Sequence, residues 1–164
     1  INDVVNADCE CEGEPTTGSL IVSFDVQCTE SFAIELYEPG TDVLIATANG
    51  SVNPDGTFTA PDLPAGTYDV WVSLTKHIKK GFEDVVITSG STPLSAEEFT
   101  TGDINGDGVI NGTDFTILSN SFFLTLGDED FVPLADLNCD NVVNGIDFSI
   151  LSSNFFDSFI PLAD

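Results

Sequence analysis

Apolar and polar residues alternate over the first part of the chain in short runs that turn-forming residues separate. Leu20, Val22 and Phe24 occupy every second position of the first run, and Asn53-Pro54-Asp55-Gly56 is one of the turn signals. A period of two is typical of a β-strand that buries one face. The runs lie near residues 20–26, 32–36, 43–48, 57–59, 68–74, 85–88 and 94–99. Together they predict a seven-stranded antiparallel β-sandwich over residues 18–99.

Beyond residue 100 the period changes, and two apolar segments have helical spacing. They run over residues 115–123 and 148–156, and each ends in two phenylalanines. Residues three and seven positions apart share one face of a helix, so we predict two short helices that pack through that face. The predicted fold class is therefore mainly β with a small α part. The predicted core residues are Phe115, Leu118, Phe122, Phe148, Leu151 and Phe155, whereas Ile117, Phe123, Ile150 and Phe156 are predicted to face partly outward as a docking surface.

Each predicted helix follows an acidic twelve-residue segment, and the two segments are copies of each other. The first begins at Asp103 and the second at Asp136, 33 residues later, and 13 of 21 aligned positions are identical. Oxygen-bearing side chains fall at positions 1, 3, 5, 9 and 12, and position 7 can offer its backbone carbonyl, which is the ligand spacing of a calcium loop. We predict two Ca²⁺ ions, held by Asp103, Asn105, Asp107, Val109, Asn111 and Asp114 and by Asp136, Asn138, Asp140, Val142, Asn144 and Asp147.

Two features separate these loops from an ordinary EF-hand. Position 12 is aspartate in both loops, and the residues before Asp103 do not form an amphipathic helix. Position 6, which needs a left-handed backbone, is held by Gly108 and Asn141. A duplicated unit of one calcium loop and one helix resembles the dockerin domain, here over residues 101–164. The resemblance implies a calcium-dependent module that binds cohesin domains in extracellular assemblies.

The dockerin resemblance also implies which residues contact a partner. In that family, loop positions 10 and 11 and residues one turn into each helix contact the cohesin. Here these positions hold Gly112-Thr113 and Gly145-Ile146, followed by Ser119-Asn120 and Ser152-Ser153. With the outward apolar residues of the helices, the expected interaction surface includes Thr113, Ile117, Ile146 and Ile150.

The segment from Gly56 to Val70 carries a second resemblance. Its Gly56-Thr57-Phe58 and Leu63-Pro64-Ala65-Gly66-Thr67-Tyr68 stretches are similar to the carboxypeptidase regulatory-like, or transthyretin-like, domain. The resemblance covers residues 18–99 and implies a β-sandwich that is generally non-catalytic. We therefore expect an N-terminal arm or linker at 1–17, this sandwich domain at 18–99 and the dockerin-like domain at 101–164.

Charge narrows the range of functions. The 164 residues include 28 acidic side chains and three basic ones, which gives a net charge of −25. Phosphate binding needs Lys and Arg, so this charge excludes nucleic acid as a partner. No apolar run in the sequence reaches the ~20 residues that span a bilayer. An acidic surface, calcium loops and paired cysteines together predict an extracellular or cell-surface location.

The four cysteines allow three pairings. Cys9 and Cys11 are too close for an easy mutual bond, which leaves Cys28 and Cys139 as partners. We expect a disulfide between the N-terminal arm and the body of the protein. Cys139, at position 4 of the second loop, is expected to face solvent as a reactive thiol unless the remaining arm cysteine pairs with it.

The chain offers no catalytic set. Its single histidine lies in Lys76-His77-Ile78-Lys79-Lys80, where no acidic residue stands beside it. A hydrolytic base needs a third group to orient it, so we expect no enzymatic activity. The same run holds all three basic residues of the chain. Two interpretations stay open for Lys76, Lys79 and Lys80: a solvated loop, or a cationic contact with an acidic surface of this molecule or of a neighbour.

Three functions remain open. The first is a non-catalytic extracellular calcium-binding module that attaches or assembles proteins through a cohesin-like partner. The second is a structural subunit of an extracellular filament, sheath or matrix that binds copies of itself. The third is a polysaccharide-binding accessory module of a secreted enzyme, in which Trp71 forms part of a platform for a glycan.

Overall fold

A computed structural model describes residues 4–5, 11–12, 17–24, 31–96 and 99–162 of the chain. The described part contains eleven strands, two α-helices and one short 3-10 helix. In chain order these are β1 (Val4–Val5), β2 (Cys11–Glu12), β3 (Thr17–Phe24), β4 (Ser31–Tyr37), β5 (Leu44–Ser51), β6 (Thr57–Pro64), β7 (Gly66–Leu74), β8 (Lys76–His77), β9 (Lys80–Ile87), β10 (Ser91–Ala96), β11 (Thr101–Asp103), α1 (Gly112–Asn120), the 3-10 helix (Pro133–Ala135) and α2 (Gly145–Ser153).

The first large unit is a β-sandwich. A three-stranded sheet in the order β10-β3-β6 faces a four-stranded sheet in the order β5-β4-β7-β9. Along β4 the residues Phe32, Ile34 and Leu36 are buried and those between them are not, as the period of two predicts. Their side chains meet Leu20 and Val22 of β3 in one apolar core. Each such side chain contributes about 1.5–3 kcal/mol when it is fully buried.

The sandwich differs from the predicted one in strand number and strand direction. The two large sheets contain seven strands, but the described chain has four further short strands in two small sheets. In addition, β10 runs parallel to β3, with Ser91 opposite Ser19 and Ala96 opposite Phe24. The expectation of a wholly antiparallel sandwich was therefore wrong. Alternation reports which face of a strand is buried, but it carries no information on strand direction.

The second unit contains α1, α2 and the two acidic loops around its own apolar core. That core includes Ile110, Leu118, Val143 and Leu151, all with no exposed surface. Neither α1 nor α2, nor any other helix of the described chain, is long and apolar enough to cross a membrane. Ile78, from the segment between β8 and β9, also packs into this core. The sandwich and the second unit are thus joined by a side chain as well as by the chain itself.

The two halves of the second unit hold each other by reciprocal hydrogen bonds. The backbone N–H of Phe123, after α1, donates to the carbonyl oxygen of Val143 at 2.7 Å, and that of Phe156, after α2, donates to Ile110 at 2.9 Å. These two bonds occupy equivalent positions of the sequence repeat. Each loop is therefore anchored to the end of the helix that follows the other loop.

The rotation of the helices differs from the predicted one. Leu118 and Leu151 are buried, but Phe115 and Phe148, predicted as core, are each 43% exposed. Ile117 and Ile150, predicted to face partly outward, are half-buried and pack against the core, as the predicted core residues Phe122 and Phe155 also do. The cause is position 12 of each loop, because Asp114 and Asp147 are fully buried and fix the rotation of the first helical turn. The predictions for Phe123 and Phe156 hold, at 77% and 81% exposure.

Candidate calcium loops and docking face

Loop 1 (residues 103–114) folds around the carboxylates of its first and last residues. Asp103 accepts hydrogen bonds from the backbone N–H groups of Gly106 at 2.8 Å and Gly108 at 2.8 Å through its two oxygens. Asp114 accepts from the backbone N–H of Ile104 at 2.8 Å with one oxygen and from that of Asn111 at 2.9 Å with the other. The two buried aspartates thus close the loop from both ends.

Loop 2 (residues 136–147) repeats this arrangement. Asp136 accepts from the backbone N–H of Asn141 at 2.9 Å. Asp147 accepts from the backbone N–H of Leu137 at 2.8 Å and from that of Asn144 at 2.8 Å. The same positions of the repeat therefore make the same bonds within about 0.1 Å, which is well inside the ordinary spread of such distances.

Two positions of each loop have a left-handed backbone. Position 6 has φ of 85° at Gly108 and 68° at Asn141, as its residue types predict. Position 4 is also left-handed, with φ of 74° at Gly106 and 58° at Cys139. The left-handed backbone at position 4 was not predicted from the sequence. Glycine at position 4 of loop 1 was the available signal, and cysteine in loop 2 obscured it.

Positions 9 and 12 have a structural role beside the predicted ligand role. The side chain of Asn111 accepts a hydrogen bond from the backbone N–H of Thr113 at 2.7 Å and caps α1, and Asp114 completes a capping box. Asn144 and Asp147 cap α2 in the same way. A capping box satisfies N–H groups that the first helical turn leaves unpaired. The order of each helix is therefore tied to the order of its loop.

The donor set of each loop fits a hard divalent cation. Carboxylate, amide and carbonyl oxygens are the ligands that Ca²⁺ takes in proteins. Asp103 and Asp136 are buried at position 1, and Asp107 and Asp140 are exposed at position 5. Burial, and then the charge of Asp114, raise the pKa of Asp103 above its ordinary value, although hydrogen bonds from backbone N–H groups oppose the shift. A bound cation would offset that cost of burying a carboxylate.

The described residues do not bring three or more acidic, His or Cys side chains together as a metal cluster. Each predicted ligand set contains three aspartates beside two asparagine side chains and a backbone carbonyl, so the described loops do not gather all the carboxylates that the set requires. Asn105 donates to Asp107 Oδ2 at 2.8 Å, and Asn138 donates to Asp140 Oδ2 at 3.0 Å, so positions 3 and 5 are adjacent in both loops. The adjacent pairs keep two of the predicted donors together in each loop.

An exposed aromatic pair lies where α1 and α2 meet. The ring centroids of Phe115 and Phe148 are 5.9 Å apart in an edge contact. Ile146 beside them is 55% exposed, and Thr113, at the equivalent position of α1, is also exposed. Ile117 and Ile150 are half-buried against the second core, and their interaction role stays a prediction. We call the surface formed by Thr113, Phe115, Ile146 and Phe148 the docking face.

Two of the three lysines contact the protein's own second unit. Lys76 is buried, and its ammonium lies 2.7 Å from the carbonyl oxygen of Asp136 and 3.2 Å from the sulfur of Cys139. Lys79 lies 4.7 Å from the ring centroid of Trp71 and 4.6 Å from that of Phe159. Both lysines are therefore held within one molecule by a carbonyl oxygen, a sulfur and aromatic rings, and none of these contacts is with an acidic side chain. Lys80 lies over the ring of Phe82, within the sandwich.

The residues that follow α2 cover part of the sandwich. The rings of Trp71 and Phe159 are 5.2 Å apart in an edge contact. A cleft of about 430 Å³ remains between this contact and the turn after β4, and Tyr37 and Asp42 are among its lining residues. Trp71 is therefore a junction residue. Its side chain is half-buried and also lines the cleft.

The predicted disulfide lies mostly outside the described residues. Cys9 and Cys28 are not among them, and nothing is described of the Cys11 side chain. Cys139 is half-buried and lies against Lys76, so its sulfur is not placed as expected of an unpaired, solvent-facing thiol. The left-handed backbone at position 4 turns this side chain toward the sandwich.

Fold and site together define a β-sandwich that carries a duplicated loop-and-helix unit. Residues 90–155 match the model of the dockerin type I domain. This match covers less than half of the chain, and the matched range includes both loops and both helices. The carboxypeptidase regulatory-like resemblance of residues 18–99 is not confirmed by any of the comparisons. No curated protein matches the chain.

Solved structures match both units at once. A C-terminal interface mutant of the type II cohesin–X-dockerin complex from Acetivibrio cellulolyticus matches with a TM-score of 0.66 and 23% identity, over 87% of this chain and 97% of that one. The N-terminal interface mutant of the same complex gives 0.64 and 24%, with the same coverage. At these identities the likeness shows the fold alone.

A shorter match has higher identity. The type II cohesin–dockerin domain from Bacteroides cellolosolvens is 44% identical over 35% of this chain and 85% of that one, with a TM-score of 0.30. The dockerin match over residues 90–155 supports a protein–protein assembly module.

Proposed function

We propose that this protein is a calcium-dependent attachment module that binds a cohesin-like domain outside the cell through its docking face. The dockerin match and the fold shared with cohesin–X-dockerin complexes support this function. The observation that carries it is the exposed pair Phe115 and Phe148 at the meeting point of two capped helices. Apolar side chains that a small domain leaves exposed as a cluster favour a protein partner.

We also propose that loops 1 and 2 each bind one Ca²⁺ through the twelve residues predicted as ligands. The paired aspartates of each loop are buried beside one another, and this arrangement is stabilised when a cation lies between them. Because Asp114 and Asp147 also cap α1 and α2, calcium would organise the docking face as well as the loops. Binding to the partner should therefore require calcium.

The sandwich serves this function as a support. We propose that the boundary between the two domains lies near residue 100, with the segment from Lys76 to Lys79 reaching across it. Ile78 enters the second core, and Lys76 bonds to the backbone of loop 2. These contacts favour a fixed orientation of the docking face with respect to the sandwich.

The test is binding of the full chain to the type II cohesin of the Acetivibrio cellulolyticus complex, with a type I cohesin in parallel. Surface plasmon resonance in calcium should show saturable binding to at least one of them, and EDTA should abolish it. The double substitution Phe115→Asp and Phe148→Asp should weaken binding at least tenfold, equivalent to about 1.4 kcal/mol. Phe123→Asp is the matched control, because Phe123 is more exposed and lies outside the docking face.

Two outcomes would reject the proposal. One is equal binding in calcium and in EDTA, which would separate the partner surface from the loops. The other is an equal loss of affinity in the control and in the double variant, which would move the partner surface away from Phe115 and Phe148. Circular dichroism of every variant in calcium distinguishes a lost contact from a lost fold.

A further inference from the structure

The cleft of about 430 Å³ beside Trp71 has one apolar side. Trp71 stands on β7 between the buried Val70 and Val72, so its ring is on the face of the sheet that is turned away from the sandwich core. Phe159 and Leu162, from the residues after α2, line the cleft next to this ring. The cleft also has the size of a ligand site, because such sites in proteins usually measure about 300–1,000 Å³. Its apolar side is therefore able to contact the apolar face of a ligand.

The other side of the cleft is a hydrogen-bonded polar turn, in which Thr41 and Asp42 are lining residues. The buried carboxylate of Asp69 accepts hydrogen bonds from the backbone N–H of Gly40 at 2.9 Å and from that of Asp84 at 3.0 Å. Both donors have a left-handed backbone, with φ of 67° and 53°. A buried carboxylate thus fixes the shape of the polar side before a ligand arrives, and a preformed site loses less conformational entropy on binding.

The charges of the lining residues favour an uncharged ligand. The carboxylates of Asp42 and Asp69 repel an anion. A cation is disfavoured because the ammonium of Lys79 already lies 4.7 Å from the ring centroid of Trp71, where a cation would bind. A wholly apolar ligand would cover the polar turn without offering it hydrogen bonds. The ligand that meets all three conditions is uncharged, carries hydroxyl groups and has an apolar face.

We propose that this cleft binds a neutral oligosaccharide of pyranose rings that are linked, and carry their hydroxyl groups, in equatorial positions. Such a ring has only C–H groups on its two faces and hydroxyl groups around its rim. Its face packs against Trp71 and Phe159, while its rim meets the polar turn. The carboxylate of Asp42 accepts hydrogen bonds from sugar hydroxyl groups, and the ammonium of Lys79 donates them. The docking face is a separate surface, so the chain would hold a glycan and a protein partner together.

The first test uses the tryptophan itself, because Trp71 is the single tryptophan of the chain and lines the cleft. Titration of the full chain with cellohexaose should give a saturable change in tryptophan fluorescence, and calorimetry should give the same dissociation constant. Three other oligosaccharides test the choice of ligand. A glucosamine hexamer with the same linkage is cationic, the corresponding glucuronate hexamer is anionic, and maltohexaose has axial linkages. Each should bind at least tenfold more weakly than cellohexaose.

Two substitutions test the location of the site. Asp42→Ala should weaken cellohexaose binding at least fivefold, whereas Asp130→Ala, which removes an equally exposed aspartate outside the cleft, should leave it unchanged. Trp71→Phe, followed by calorimetry, should weaken binding because the apolar side becomes smaller. Circular dichroism shows whether each variant is folded.

Three results would overturn the proposal. They are the absence of a saturable response to millimolar cellohexaose, equally tight binding of any of the three other oligosaccharides, and an equal effect of the two aspartate substitutions. Cohesin binding uses the docking face and should be the same with and without cellohexaose, so failure of one proposal is distinct from failure of the other.

Discussion

Lys76 contacts the first residue of both loops. Its backbone pairs with Asp103, the first residue of loop 1, across the small sheet of β8 and β11. Its ammonium bonds to the carbonyl oxygen of Asp136, the first residue of loop 2, at 2.7 Å. A residue of the sandwich hairpin therefore fixes the starting points of both loops. Lys76 itself has a left-handed backbone, with φ of 68°. Residues other than glycine adopt this conformation only at a cost in free energy.

Removing the ammonium of Lys76 should destabilise loop 2. Lys76→Met keeps most of the buried stem but loses a charge-assisted hydrogen bond and leaves the Asp136 carbonyl without that donor. The free energy of unfolding should fall by about 1.5–3 kcal/mol. Urea denaturation at one saturating calcium concentration, followed by circular dichroism, measures this change.

Lys80→Met is the control for that substitution. It makes the same change of charge in the same segment, and Lys80 lies over Phe82 within the sandwich. An equal loss of stability in the two variants would show that net charge, and not the bond to loop 2, explains the effect of Lys76.

Calcium removal should unfold the second unit and leave the sandwich folded. A ligand at 1,000 times its dissociation constant stabilises a fold by about 4 kcal/mol per site, which is comparable to the whole stability of a small domain. Calorimetry should therefore show one transition that moves on addition of EDTA and one that stays. Asp114→Ala and Asp147→Ala should each reduce the calcium stoichiometry from two to one. A melting profile that EDTA leaves unchanged would contradict a structural role for the ions.

The observed rotation of the helices predicts that replacing a buried leucine lowers the free energy of unfolding more than replacing an exposed phenylalanine. Leu118→Ala and Leu151→Ala each create a cavity in the core and should cost about 2–5 kcal/mol. Phe115→Ala removes a larger side chain from the surface and should cost less than about 1 kcal/mol. Denaturation in calcium measures both. A larger loss for Phe115 than for Leu118 would restore the rotation that the sequence alone predicted.

Gly81 should control how the residues after α2 lie on the sandwich. A Cβ at this position would lie 2.7 Å from the Trp71 ring and would clash with Leu162. Gly81→Ala should therefore displace this segment and expose the ring of Trp71. The chain has a single tryptophan, so a red shift of its fluorescence reports the change directly. Gly90→Ala, where a Cβ meets only a distant threonine oxygen, should cause no shift.

The disulfide between the arm and the body stays a prediction. Such a bond would contribute about 3 kcal/mol by closing a short loop. Thiol titration of the unreduced, denatured protein should find at most two free thiols, and peptide mapping should show an N-terminal cysteine joined to Cys28 or Cys139. Four free thiols would contradict the bond and weaken the extracellular assignment.

The sequence predicted best those features that local chemistry determines. The strands of the sandwich follow from alternation, and the two loop-and-helix units follow from the spacing of Asp103 to Asp114 and its copy. The burial of Phe115 and Phe148 was predicted wrongly, because counting apolar residues ignores a buried ionisable group such as Asp114. The direction of β10 and the partner of Lys76 depend on long-range packing, which has no signal in one sequence.

The hydrogen bonds that cross between the two repeats have a consequence for how ions bind. The backbone N–H of Phe123, after α1, donates to the carbonyl oxygen of Val143 at position 8 of loop 2. The N–H of Phe156, after α2, donates to that of Ile110 at position 8 of loop 1. Position 8 lies between the predicted ligand positions 7 and 9. A loop that becomes ordered therefore restrains the other loop through these hydrogen bonds. Calcium at one site should then change the affinity of the other site, and the factor should be the same whichever site is filled first. The pair would fill over a narrower range of calcium concentration than two independent sites, and the docking face would form as one switch.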